Sequence, residues 1–172
     1  MNHHDMTRNM VLAALFAALT AIGAFLQIPT GTVPITLQFL FTALAGLLLG
    51  WKWGAISQLL YVGIGLLGLP VFTQGGGIGY VLQPSFGFLL GLIPAAAVIG
   101  ALTARRTGYL TVLAAVLVGD LILYAVGVPY MYLILHVYMQ SAKTFPALLA
   151  AMLVYVPGDT LKIIVVTALA PV

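Results

Sequence analysis

Between Asn9 and Leu169 the chain is a succession of apolar stretches, each close to the length of a bilayer crossing, parted by short breaks of Gly, Pro and scattered cations. One helical crossing needs about 20 apolar residues. Of the 172 residues, 63% are hydrophobic and 5% are charged, whereas a water-soluble domain carries about a quarter charged residues. Mean hydropathy is +1.18. Six cations (Arg8, Lys52, Arg105, Arg106, Lys143, Lys162) and three Asp (Asp5, Asp120, Asp159), with no Glu, cannot cover a water-facing surface. The solvent is therefore lipid.

Breakers and charges divide the chain into expected spans at about 9–27, 34–50, 53–69, 86–104, 109–128 and within 145–171. The expected fold is an all-α integral membrane protein, a bundle of six transmembrane helices forming a single domain over residues 1–172. The first apolar run reads as a first membrane helix rather than a cleaved signal. Arg8, Lys52, Arg105 and Arg106 fall on one side of such a bundle and only Lys143 on the other. Cations mark the cytoplasmic side, so both termini are expected there and the protein is expected in the plasma membrane.

The two sides also differ in texture. The inner connections are tight, as at Gly50-Trp51-Lys52-Trp53. The outer ones are longer: Gln27-Ile28-Pro29-Thr30-Gly31, Gly68 to Gly77, and Val128-Pro129-Tyr130-Met131-Tyr132. Loops on a rigid scaffold are where binding groups concentrate, so a site open to the outside is expected. In 145–171, Pro157 and Gly158 interrupt the run. The preferred reading is a short helix at 145–155, then a last span from Pro157, since proline suits the first helical turn. One kinked helix is the alternative.

Composition excludes several classes. The pI of about 9.3 does not indicate nucleic acid, because six scattered cations form no stripe. The absence of Cys removes disulfides and thiolate chemistry. No Gly-Lys-Ser or Gly-Lys-Thr is present, so the chain does not itself hydrolyse ATP. Three scattered His and three distant Asp suggest no metal site.

Asp159 and Lys162 are the strongest functional signal. Ionisable groups inside a span cost about 2.5–3.5 kcal/mol each by insertion scales, so they face the interior and usually serve a function. Three apart on a helix, they share a face, and Asp159 would sit in a first turn that favours a carboxylate. The bland reading is an ion pair pinning two helices. Asp120, after Gly119 in span five, has no sequence partner; pairing with Lys162, lining a cavity and being simply protonated all stay open. Gly75, Gly76 and Gly77 leave backbone N–H groups open to close approach, and Gln74, Gln83 and Ser85 add neutral polar groups. His136 and Lys143 read as solvated. In span one, Ala13, Ala17 and Ala21 form one row of small residues and Ala14 and Ala18 the next, which lets another helix approach.

Several segments resemble the biotin-specific S components (BioY type) of energy-coupling-factor vitamin transporters. They are Ala13 to Phe25, Val33-Pro34-Ile35-Thr36-Leu37-Gln38, Gly68-Leu69-Pro70-Val71-Phe72, Leu82 to Phe88, Gly127-Val128-Pro129-Tyr130, and Val156-Pro157-Gly158-Asp159 with Lys162. The resemblance implies a six-helix subunit that binds biotin from outside, needs no cofactor, and works with a transmembrane coupling subunit and two cytoplasmic ATPases. It implies that Asp159 and Lys162 contact biotin, with Gln74 in the first binding loop. The span-one alanines (Ala13, Ala14, Ala17, Ala18, Ala21) would dock on the coupling subunit. Asp159 would accept from ureido N–H groups and Lys162 would donate to a ligand oxygen. Tyr80, Phe86 and Tyr130 would cover the apolar ring, and the N–H groups around Gly75 and Gly77 would hold remaining polar atoms, beside Gln83 and Ser85. Asp120 has no counterpart in that pattern.

Three other readings stand beside this one. An S component for another vitamin would share the scaffold. A purely structural membrane subunit would bind nothing. An intramembrane aspartyl-type enzyme needs two carboxylates sharing a proton, but Leu117 before Asp120 and Val156-Pro157 before Asp159 depart from the Gly-x-Gly-Asp arrangement.

Overall fold

A computed structural model describes residues 3–105 and 108–170, so Arg106, one of the orienting cations, and Pro171 at the end of the last expected span lie outside the described residues. Among the described residues, five helical stretches are long and apolar enough to cross a bilayer: His4–Phe25, Gln38–Leu66, Phe86–Thr103, Tyr109–Tyr138 and Phe145–Leu169. The named elements are α1 (His3–Phe25), the strands β1 (Gln27–Ile28) and β2 (Ile35–Thr36), and α2 (Gln38–Leu66). Then come α3 (Phe86–Thr103), α4 (Tyr109–Leu133), α5 (Phe145–Ala151) and α6 (Val156–Leu169).

Helix α2 contains the break expected between spans two and three. Gly50 has φ of 77°, a left-handed conformation that glycine adopts without steric cost. The chain reverses there. Thr42 bonds Gln58 at 2.9 Å, Gln38 bonds Tyr61 at 2.8 Å, and a Cβ on Gly54 would come within 2.8 Å of Gly46 Cα. Partners that converge on residue 50 from both sides define two antiparallel arms. The interlock continues into α3: a Cβ on Gly46 would lie 2.4 Å from the Ala96 carbonyl oxygen, and one on Gly100 would lie 2.3 Å from the Trp51 nitrogen. Close backbone approach through small residues holds helices together where lipid removes any hydrophobic difference.

One expectation needs correction and two gain detail. The helical fold carries one addition: β1 and β2 form a two-residue antiparallel ribbon pairing Gln27 with Thr36 and Ile28 with Ile35, because Pro29, Pro34 and Gly31 (φ 100°) bar a helix between them. Val128 to Tyr132 is not a loop. Helix α4 runs through Pro129 to Leu133 and continues as a wider π turn over Ile134–Tyr138, since neighbouring helices can absorb a proline in a membrane span. The third concerns α1, where Ala13 (1% exposed) and Ala17 pack into the chain's own core. Those two are occupied by intrachain packing, Ala21 is half-buried, and Ala14 and Ala18 face outward.

The last stretch combines both readings of 145–171. Helix α5 passes through a tightened 3-10 turn, Met152–Tyr155, into α6, which begins at Val156 with Pro157 in its first turn. Proline there sacrifices only a donor that a helix start leaves free anyway.

Candidate functional site

The first arm of α2 starts late. Residues 38–49 rise about 18 Å at 1.5 Å per residue, well short of the roughly 30 Å hydrocarbon core. Extended chain from Val33 to Thr36 fills the missing turns, and its backbone groups are free of helical partners. Irregular backbone at membrane depth is tolerated where it lines a cavity. It does so here. Val33, Ile35, Thr36 and Gln38 wall a cavity open at one end, together with Asp159 and Lys162.

Helix α6 supplies the charged wall. Asp159 and Lys162 are 5% and 8% exposed, one turn apart, with Lys162 Nζ 2.5 Å from Asp159 Oδ1. The ammonium also donates to the Thr36 carbonyl oxygen at 3.2 Å, one of the acceptors released by the late start of α2. Tyr124 of α4 donates its hydroxyl to Asp159 Oδ2. The carboxylate is thus held from both sides, with the cavity in front of it. Neither oxygen is shared with another carboxylate, unlike the dyad that aspartyl proteolysis needs.

The opposite wall is neutral and aromatic. Thr73 and Tyr80 hydroxyls are 2.9 Å apart, and Tyr80 lies 3.3 Å from Ser85 Oγ. Thr36 donates to Gln38, which donates to Tyr61, which donates to the Val71 carbonyl. Behind them the rings of Tyr61, Phe72, Tyr80, Phe86 and Tyr130 follow one another at centroid distances of 5.6, 4.6, 6.4 and 5.8 Å, in edge and tilted contacts that rings favour. At the mouth, Tyr155 donates to the Val33 carbonyl and sits 2.9 Å from Thr30 Oγ1, fastening the β1–β2 loop to the α5–α6 junction.

Of the candidate residues, the cavity brings together Asp159, Lys162, Tyr80 and Ser85. Phe86 and Tyr130 stand behind Tyr80 as second-layer packing. Gln74 and Gln83 are exposed and away from the cavity. The glycine loop is also spent on the fold. Gly77 N–H donates to the Gly65 carbonyl at 2.7 Å and Gly75 exchanges backbone bonds with Phe72. The φ of 113° at Gly75 and 99° at Gly77 shape a turn in which both N–H groups already have backbone partners. The cavity also gathers Thr36, Gln38, Thr73 and Tyr124, which the sequence pattern alone does not single out. Tyr124 had a signal: it lies one turn from Asp120, a second polar residue on one face of an apolar helix.

An apolar bundle closing on a pocket that is charged on one wall and aromatic on the other is a membrane-embedded substrate-binding subunit. The chain belongs to the BioY family, whose model its whole length, residues 1–172, matches. It is 54% identical over 141 residues to a probable biotin transporter BioY of Lysinibacillus sphaericus, covering 81% of this chain and 72% of that one. It is 35% identical over 164 residues to a biotin transporter BioY of Thermotoga maritima, covering 95% and 94%. Among solved structures it is similar to the S-component for biotin from an ECF-type ABC transporter, with a TM-score of 0.86 and 29% identity over 98% of this chain and 91% of the other.

Proposed function

We propose that this chain is a high-affinity biotin-binding subunit that captures the vitamin from outside the cell for uptake. The observation that carries this is the buried Asp159–Lys162 pair facing a cavity instead of being sealed in protein. Biotin offers two ureido N–H donors, a ureido carbonyl, an apolar sulfur ring and a carboxylate. Asp159 suits the N–H donors, Lys162 suits a ligand oxygen, and Tyr80 with the apolar lining from Phe88, Leu89 and Leu92 suits the ring.

In this reading the chain crosses the plasma membrane six times, the two arms of α2 counting as separate crossings, and both termini are cytoplasmic. Lys52 beside the Gly50 turn and Arg105 after α3 are exposed, and cations at those two turns support this orientation. A transmembrane coupling subunit and two ATPases energise uptake, and Ala14 and Ala18 belong to the docking face.

The test is ligand-dependent stability of the purified protein in detergent. A ligand at a hundred times its Kd adds about 2.7 kcal/mol, so biotin should raise the melting temperature. Riboflavin, thiamine and pantothenate should not. Stabilisation by one of these in place of biotin would transfer the site to another vitamin.

A further inference from the structure

Asp120 is the membrane-depth charge that the pocket above leaves unused. Its Oδ1 is buried and accepts no hydrogen bond, a costly condition for a carboxylate out of water. Its position follows from helix register. Val128, Met131 and Leu135 of the α4 region pack with Leu148 and Met152, while Tyr124 meets Asp159. Descending α4 therefore means advancing along α5 and α6, so the two run antiparallel. One turn below Tyr124, Asp120 is level with Lys162, and it lies within electrostatic reach of both Lys162 and Asp159.

We propose that Asp120 is a positioning residue for substrate binding, a second counter-charge that takes the Lys162 ammonium when ligand N–H groups compete for Asp159. The proposal rests on the reading of Asp159 and Lys162 as the biotin-contacting pair. In the structure the carboxylate of Asp159 is already engaged, by Lys162 at 2.5 Å and by Tyr124. A urea donor must loosen that ammonium to reach it. Moving a lysine off its only anion leaves a bare charge in a low-dielectric interior, which is strongly unfavourable. With Asp120 within electrostatic reach on α4, the flexible four-carbon stem of lysine exchanges one carboxylate for another. The charge stays compensated, and Asp159 is freed for the guest.

The experiment compares wild type with D120N, D120A, D120E and D159N in detergent, measuring biotin affinity by titration and melting without ligand. D120N should weaken biotin by about tenfold, the weight of one charge-assisted contact. Its ligand-free melting should not fall, since the change removes an unpaired buried acid. D120E should recover most of the affinity, and D120A should behave as D120N does, which excludes an artefact of the amide. A drop in ligand-free melting that parallels the affinity loss, with no rescue by D120E, would assign Asp120 to packing and overturn the proposal. Unchanged affinity in D120N beside a large loss in D159N overturns it while leaving the pair's role intact. Unchanged affinity in D159N itself removes the reading on which it rests.

Discussion

Two polar clusters are buried at membrane depth in this molecule, and they do opposite things. Thr20, Thr42, Ser57 and Gln58 are 0% exposed and bond one another and helical carbonyls across α1 and both arms of α2. Asp159, Lys162, Tyr124 and Thr36 are held as tightly, yet an open cavity adjoins them. The first cluster fixes how the helices pack. The second has hydrogen-bonding capacity facing empty space. Burial of polar groups in lipid therefore marks importance, while a cavity beside them marks a site.

The largest effect should come from Asp159→Ala combined with Asp120→Asn, which strands Lys162 without either carboxylate. Removing one partner of a buried pair costs about 3–5 kcal/mol, and the melting temperature should fall steeply while biotin binding is lost. Melting close to wild type would mean that the pair is solvated, dissolving the contrast between the clusters. Next in size is Gln58→Leu in the sealed cluster. Its amide bonds Thr42, Thr20 and Ser57, and leaving buried hydroxyls unmet costs about 1–3 kcal/mol. Stability should drop by that amount with biotin affinity unchanged. A specific loss of affinity would show that the two clusters are coupled through α2.

How much of this was legible in the sequence follows the same division. Asp159 and Lys162 announce themselves because a charge in an apolar run needs a reason, and the Gly50 turn is readable from the break before Lys52. Thr36 and Tyr124 are ordinary residues until α4, α6 and the late start of α2 bring them to the pair, and no local pattern encodes that register. The glycine loop is ambiguous for a related reason. Glycine reports that the backbone takes a special conformation at Gly75 and Gly77, but where their N–H groups point depends on the carbonyls of Phe72 and Gly65. The alanine rows of α1 carry a similar ambiguity: small residues mark a close approach, and Ala13 and Ala17 spend theirs on their own chain.

The smallest expected effect probes the rim between the two kinds of cluster. Tyr155 is neither sealed nor in front of the pair; its hydroxyl ties the α5–α6 junction to Val33 and Thr30 of the β1–β2 loop, over residues that wall the cavity. Tyr155→Phe keeps the ring and deletes the tie. One neutral hydrogen bond is worth about 0.5–1.5 kcal/mol, or roughly two- to tenfold in an equilibrium constant. If the loop closes the cavity, the loss should appear as faster biotin release, because changes within one interface act mainly on dissociation. Release measured by chasing bound labelled biotin with unlabelled ligand separates the alternatives. Faster release at unchanged ligand-free melting makes the tie a latch on the site. A lower melting temperature with wild-type release places Tyr155 with Gln58, as a residue that holds the fold and leaves the guest alone.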